Sequence, residues 1–414
     1  MLLGAFALRL GAVRLVGNTD PQTATLWEYG EQAQNYLEHG AISMRYLKGM
    51  EQEFLAPSSY MPPGLVFVWI GLFSVLGVTS LALGTMLLLN ALLGTIIVLL
   101  VYAIAKQATG RRPMALLAAL MTCCYPTFVY AAATYHAVNF YVALFLLAVL
   151  VTIRYARAGT MRYGLALGVI CGVMVLFRAS LILHSVFLVL FAFYHRRSLR
   201  LLVLQALLIV AVLAPWTIRN YRLLGKPIYS ANSVGYSLWR GHNPMTKGSG
   251  QTDAISADLW QALQGLEHND QFEVAKDRLF LRKALKHIRT HPLDELVLAV
   301  RKLFLFWVYE FYDPNITHRL AYLIPHFVTL ALFAVGVARS KHDMVPEPRR
   351  LMFGLFAIQT MVVVCFFVLV RYRMLIEPLI FIFAAAGGFR LWAALRRRED
   401  QECISDSAEK RVTR

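Results

Sequence analysis

SSYMPPGLVF, residues 58–67, is the stretch whose reading decides the fold. It leads into an apolar run, Leu65 to Leu76, with the composition of a membrane span. The run has only a little over half of the roughly twenty residues a helix needs to cross a bilayer. Pro62 and Pro63 stand at its start, where proline costs a helix little because the first amides have no helical acceptor. The run therefore reads as a helix. Whether that helix crosses the membrane or lies along it sets the side of every later loop.

Around this stretch the chain is apolar throughout. Of its 414 residues, 58% are hydrophobic, and the mean hydropathy is +0.55. Soluble domains rarely exceed about 50% apolar residues. The apolar runs are continuous rather than alternating, which predicts an all-α polytopic membrane protein and not a β-barrel. The formal net charge is +17. On a soluble protein that charge would suggest nucleic acid; here Lys and Arg are better explained as cytoplasmic loop residues that hold topology. Cys123, Cys124, Cys171 and Cys365 fall in apolar segments and Cys403 in the tail, so neither a disulfide framework nor a zinc motif is expected. Residues 2–16 lack a basic leader and are interrupted by Arg9 and Arg14, so they read as a first span and not as a signal peptide.

The predicted spans are 2–17, 80–105, 114–133, 136–153, 163–178, 180–194, 199–216, 320–338, 351–370 and 374–393. Short basic loops lie at 106–113, 154–162, 195–200 and 339–350, and the tail opens with Arg396, Arg397 and Arg398. All five belong in the cytoplasm, whereas the loop 18–60, with six acidic residues against Arg45 and Lys48, belongs outside. Were 61–77 to cross, the basic loop 106–113 would be outside. Laid along the outer interface, it puts every basic loop inside. The same holds for 295–312, which carries Arg301 and Lys302 mid-run. The expected architecture is ten transmembrane helices plus interfacial helices and two outer-face segments. An N-terminal module, 1–216, includes the outer loop 18–79. An outer segment, 217–319, has helical patterning near 270–289. Helices follow at 320–393, then a cytoplasmic tail, 394–414, whose polar residues 399–414 are expected to be disordered.

Some basic residues break the rule. Arg178 sits at the outer turn between spans five and six, Arg219 and Arg222 follow span seven, and Arg371 and Arg373 precede the last span. Any one of them could snorkel to headgroups. Several at one face, at headgroup depth, point to a shared phosphate site, because the guanidinium fork suits phosphate and never loses its charge. The phosphate of a lipid is the ligand expected there. Asp20 and Glu28, in TDPQTATLWEYG, are candidates for a general base, which must reach the proton it removes. Most of the acidic residues of this loop are expected to be plain solvated surface. Glu28 stands apart between Trp27 and Tyr29, aromatics that can stack on sugars or sit at the interface.

LWEYGEQAQNYLEHG followed by SSYMPPGLVFVWIGLFSVLG resembles the first outer loop of membrane glycosyltransferases of the GT-C fold. The likeness is to the bacterial branch of the protein O-mannosyltransferase and aminoarabinose-transferase-like superfamily, of the family 39/83 type. APWTIRNYRLLGKPIYSANSVGYSLWRGHNP, LFRASLIL and RYRMLIEPLIFIFAAAG resemble later stretches of that branch, in the expected order. The resemblance implies transfer of a sugar from a polyprenyl-phosphate donor to a lipid, glycan or protein acceptor on the outer face. A carboxylate of the first outer loop would activate the acceptor, with inversion at the sugar carbon, and basic residues would hold the departing phosphate. Counting back from Tyr29 meets Thr25 and Leu26 where such enzymes carry the carboxylate, so Glu28 and Asp20 both stand as candidates. The matching polar stretches nominate Tyr29, Tyr60, His136, Asn139 and Asn243 as cavity residues. A bacterial inner membrane, with the site facing the periplasm, is implied with them.

Two other function classes fit a polytopic chain. A lipid or solute transporter would line a path with these arginines, but the sequence has no inverted repeat and no matching pair of broken spans. A lipid-diphosphate-dependent glycan polymerase or ligase would share the outer phosphate site. No Gly-rich nucleotide loop is present. The carboxylates are too scattered to form a metal motif, so no cofactor follows from the sequence, and a divalent metal is neither required nor excluded by it. Asn315-Ile316-Thr317 matches a glycosylation sequon, a triplet common by chance.

Overall fold

A computed structural model of the chain describes residues 1–48, 52–250, 256–308 and 316–412. The N-terminal part runs α1 (Leu2–Val16), α2 (Trp27–His39), a hairpin of β1 (Ser43–Tyr46) and β2 (Phe54–Pro57), then α3 (Pro63–Leu76). There follow α4 (Ser80–Thr109), α5 (Arg112–Cys124), α6 (Pro126–Ala131), α7 (Val138–Ala158), α8 (Met161–Phe177), α9 (Leu181–Arg196) and α10 (Leu199–Leu224). The outer segment holds α11 (Val234–Gly241), α12 (Ala257–Gln264), α13 (Phe272–Thr290) and α14 (Pro292–Trp307). The chain closes with α15 (Ile316–Asp343), α16 (Pro346–Cys365), α17 (Val370–Arg373) and α18 (Glu377–Val412). Asn315, of the sequon, lies outside the described residues.

Six helices, α4, α7, α10, α15, α16 and α18, are long and apolar enough to cross a membrane, and α3, α5, α8 and α9 are shorter apolar helices. Each of the ten expected spans coincides with a helix or, for 114–133, with the pair α5 and α6 broken at Pro126. The chain is an all-α polytopic membrane protein. Its centre is α7, with 83% of its apolar window buried, against 22% for α10 and 17% for α15. Those two turn apolar side chains such as Leu207, Val210, Ile324 and Phe327 outward, the surface that lipid covers.

Two sets of side-chain bonds separate the ends of the bundle. At one end Arg157 donates to the Gln107 carbonyl at 2.8 Å, Arg196 to the Tyr155 carbonyl at 3.3 Å, and Arg111 approaches Asp343 at 3.9 Å. The basic loops thus touch one another. At the other end the Tyr135 hydroxyl donates to the Asn18 carbonyl at 2.5 Å and the Tyr141 hydroxyl to the Arg371 carbonyl at 3.3 Å.

The helix opened by MPPG spans 14 residues, about 21 Å at 1.5 Å per residue, short of the roughly 30 Å hydrocarbon core. Gly64 lies so close to Phe177 that a Cβ would stand 2.7 Å from that ring. Phe67 makes an edge contact with Trp216 at 5.9 Å, and Trp69 packs on Tyr135 at 5.5 Å. α3 thus packs on Phe177 at the end of α8, on Trp216 within α10 and on Tyr135 just ahead of α7.

Two local features explain irregular helices. Pro126 has no N–H, so the Thr122 carbonyl loses its helical donor and α5 ends there. The fully buried Arg9 of α1 fills the gap, donating to the carbonyls of Ala5 at 3.0 Å, Cys123 at 3.4 Å and Thr122 at 3.4 Å. Gly94 makes room for it, since a Cβ there would meet Arg9 Nε at 2.5 Å. In the tail, the expected disorder is corrected: α18 continues to Val412. Residues 394–412 hold no Gly or Pro and are rich in Leu, Arg, Glu, Gln, Lys and Ala, all good helix formers.

Candidate functional site

The site is built on the first turn of α2. Trp27 opens the helix at φ +57°, a left-handed backbone that costs an aromatic residue roughly 1–2 kcal/mol. Its ring stacks on His136, centroids 4.6 Å apart. Glu28 follows in that first turn, where the unpaired amides of the helix start favour a carboxylate. Tyr29 comes next, and its hydroxyl lies in the fields of Arg371, Tyr141, Glu28 and Arg178, while burial keeps it a phenol by pushing its pKa up.

Two of the five nominated arginines converge here uncommitted to any acid. Arg178 is held between the rings of Tyr372, 4.2 Å away, and Tyr141, 4.9 Å away. It donates to the Tyr141 hydroxyl at 2.9 Å and to Ser180 Oγ at 3.1 Å. Arg371 lies over Tyr372 at 5.8 Å. Burial and then the charge of Arg371 hold His136 down to about 3, so the imidazole is neutral at ordinary pH. Among the described residues neither arginine forms an ion pair.

A third cation comes from the outer segment. The Lys276 ammonium of α13 lies 5.4 Å from the ring centres of both Tyr46 and Tyr60. Burial lowers its pKa, against the opposing pull of Glu273, Glu28 and Asp277 in that order. Among the described residues no carboxylate comes within ion-pair distance of it. The charge of Glu28 thus acts on Tyr29, which also feels Arg371 and Arg178, and on Lys276.

What positions Lys276 is Glu273, one turn earlier and 1% exposed. Its carboxylate accepts from the Tyr46 hydroxyl at 2.5 Å, Ser58 Oγ at 2.6 Å, Ser59 Oγ at 2.9 Å and the Ser59 amide at 3.1 Å. Burial and this carboxylate together push the Tyr46 phenol well above its usual range. Ser58 also accepts from Gln32 at 2.9 Å, and the Ser59 carbonyl accepts from the Asn232 amide at 2.8 Å. The serines that precede MPPG are thus the clasp between the two outer segments. On the other flank, the Gly250 amide donates to the Val368 carbonyl and the Val368 amide to the Gly248 carbonyl, each at 2.9 Å, so residues 248–250 are pinned beside the turn that carries Arg371.

Apart from Tyr60, the remaining nominated residues lie elsewhere. Arg219 is spent on the carbonyls of Ser58 at 2.9 Å and Ile42 at 2.6 Å. Arg373 pairs with Glu377 at 2.9 Å, and Arg222 is exposed at the end of α10. Asp20 is exposed and bound into its own turn by the Gln22 amide at 3.0 Å and the Thr23 hydroxyl at 2.8 Å, which lower its pKa. Asn139 packs on Asn90 at 3.3 Å. Asn243 bonds within its own turn, to the Trp239 carbonyl at 2.9 Å. Tyr60 faces Lys276. Sequence reasoning did not single out Lys276, Glu273, Tyr141 or Tyr372. A signal existed for the first two: Glu273, Lys276 and Asp277 share one face of a helix whose neighbours on that face are apolar.

Residues 61–218 match the family model of dolichyl-phosphate-mannose-protein mannosyltransferase. A comparison with curated proteins finds no match. Among solved structures, the chain is similar to the oligosaccharyltransferase AglB of Archaeoglobus fulgidus in complex with an inhibitory peptide and a dolichol-phosphate, at 14% identity and TM-score 0.54. That match covers 97% of this chain and 52% of that one. The Archaeoglobus fulgidus oligosaccharyltransferase with Zn and sulfate gives 14% identity and TM-score 0.57, over 96% and 50% of the two chains. ArnT from Cupriavidus metallidurans bound to undecaprenyl phosphate gives 13% identity and TM-score 0.38, over 92% and 75%. The chain spans about half the length of the oligosaccharyltransferase chains it matches. At the level of architecture, this polytopic protein has the GT-C fold of membrane glycosyltransferases, the fold that its outer-loop motifs resemble.

Proposed function

We propose that the protein is a glycosyltransferase that moves a sugar from a polyprenyl-phosphate donor to an acceptor hydroxyl on the outer face of a bacterial inner membrane. The observation that supports this reading is a cluster: Arg178 and Arg371 beside Tyr29, and Lys276 beside Tyr46 and Tyr60, none paired with an acid among the described residues, with Glu28 close enough for its charge to act on both Tyr29 and Lys276. Glu28 takes the proton of the attacking hydroxyl. The new bond forms at the anomeric carbon from the face opposite the phosphate, and the carbon–oxygen bond to phosphate breaks with inversion. The electron pair leaves with the polyprenyl phosphate, whose gathering charge the three cations stabilise. Fixed cations in a water-poor site are worth most when charge develops in the transition state. Position favours Glu28 over Asp20 as the base, since Asp20 is exposed and held in its own turn.

The test is single-turnover transfer in nanodiscs with labelled polyprenyl-phosphate sugars and a native lipid extract as acceptor. Glu28→Gln is expected to lose at least a hundredfold in turnover while still binding donor, and Asp20→Asn to stay within twofold. Arg371→Ala is expected to lose donor affinity as well as rate. Consumption of a lipid-diphosphate donor only would assign the chain to the polymerase or ligase class. No consumption of either donor by wild type would overturn the transferase reading.

A further inference from the structure

At the opposite end of the bundle the hairpin of α15 and α16 forms an open groove of about 480 Å³ lined by Val337, Ala338, Ser340, Lys341, Arg349, Arg350 and Phe353. Lys341, Arg349 and Arg350 have no acidic partner among the described residues. Asp343, the carboxylate nearest Lys341 in sequence, is buried and taken by Arg390, whose Nε donates to it at 2.9 and 2.7 Å, with Arg111 at 3.9 Å. Glu347 does not line the space. Three positive charges therefore face one groove without neutralisation.

Their arrangement along the helices is graded. Lys341 stands one turn from Val337 and Ala338 on α15, and Arg349 and Arg350 stand one turn from Phe353 on α16. On each helix the basic group is at the aqueous end and the apolar group lies one turn deeper into the membrane. Phe353 is 37% exposed, an open aromatic wall at that depth. A free anion needs only the charges. A molecule with an anionic head and an acyl chain uses both layers. We propose that this groove is a binding site for an anionic phospholipid, with its phosphate among Lys341, Arg349 and Arg350 and its first methylenes against Val337, Ala338 and Phe353. The site is separate from the Glu28 cluster, at the other end of the same spans.

The experiment uses the full chain in nanodiscs of phosphatidylcholine with graded phosphatidylglycerol, released into native mass spectrometry to count retained lipid. Wild type is expected to retain phosphatidylglycerol and not phosphatidylcholine. Each cation at a membrane surface contributes roughly a fivefold gain in anionic-lipid affinity, so Arg350→Ala, an exposed change, is expected to weaken retention about fivefold. Lys341→Ala with Arg349→Ala and Arg350→Ala is expected to abolish it. Lys341→Arg is expected to preserve it, and Arg154→Ala with Arg162→Ala, in another basic loop, to leave it unchanged. Equal retention by wild type and Arg350→Ala, or equal retention of the two lipids, overturns the proposal. Displacement of the lipid by millimolar inorganic phosphate also overturns it, in favour of a soluble anion as the ligand.

Discussion

At the scale of single residues, position matters more than type. Lys276 and Arg371 are both cations, but only the lysine can lose its charge in an accessible range. Because burial lowers the Lys276 pKa, its cation is present at low pH and is lost as pH rises, earlier than for an ordinary lysine. If Lys276 holds the leaving phosphate, kcat/KM falls on the alkaline side, and Lys276→Arg moves that limb to higher pH. An alkaline limb that stays put in the arginine variant would remove Lys276 from the reaction. Glu273 presents the opposite case, a carboxylate fully used by four donors. Glu273→Ala strands buried hydroxyls of Tyr46, Ser58 and Ser59, and the expected loss is about 3 kcal/mol or more. Thermal unfolding in detergent measures it; a midpoint within a degree or two of wild type would mean that the clasp contributes little.

At the scale of elements, two helices depend on partners that their own sequences do not reveal. α3 packs through Gly64, Phe67 and Trp69 on Phe177, Trp216 and Tyr135. Its own hydropathy would suit a span equally well. α1 carries a fully buried arginine that no membrane helix would tolerate alone, and it is stable because α5 breaks at Pro126 and leaves carbonyls to satisfy. Gly94 keeps that arrangement possible. Gly94→Val is expected to destabilise by about 1–3 kcal/mol through overpacking, and Arg9→Met in the same chain is expected to restore part of the loss by vacating the space. Scanning calorimetry on both variants checks this, and an unchanged midpoint in Gly94→Val would show that Arg9 moves aside freely.

At the scale of the whole molecule, one parity follows from all of this. With α3 lying across the span ends, Gln52 and Thr160 face opposite sides of the membrane. With α3 crossing, they face the same side. In a chain whose Cys124, Cys365 and Cys403 are replaced by serine, Gln52→Cys and Thr290→Cys are expected to react with an impermeant maleimide from outside. Thr160→Cys and Arg200→Cys are expected to react only after permeabilisation. Labelling of Thr160→Cys in sealed cells would reverse the reading of α3 and the placement of Glu28 with it.

The helical, polytopic membrane class and the position of the apolar helices were legible in the amino-acid sequence. They depend on quantities that add up locally: apolar length, alternation, and Lys and Arg per loop. Arg178 and Arg371 were nominated because basic charge at the wrong membrane face stands out against that local rule, and Glu28 because it stands between Trp27 and Tyr29. Which arginines remain free was not legible. Arg219 and Arg373 look the same in sequence as Arg178 and Arg371, and they differ only because carbonyls of Ser58 and Ile42, or the carboxylate of Glu377, arrive beside them. Lys276 and Glu273 were hidden for the same reason. Their partners Tyr46 and Ser58 lie more than 200 positions away, and only the packing of the two outer segments brings a buried carboxylate to those hydroxyls and an unpaired ammonium to the rings of Tyr46 and Tyr60.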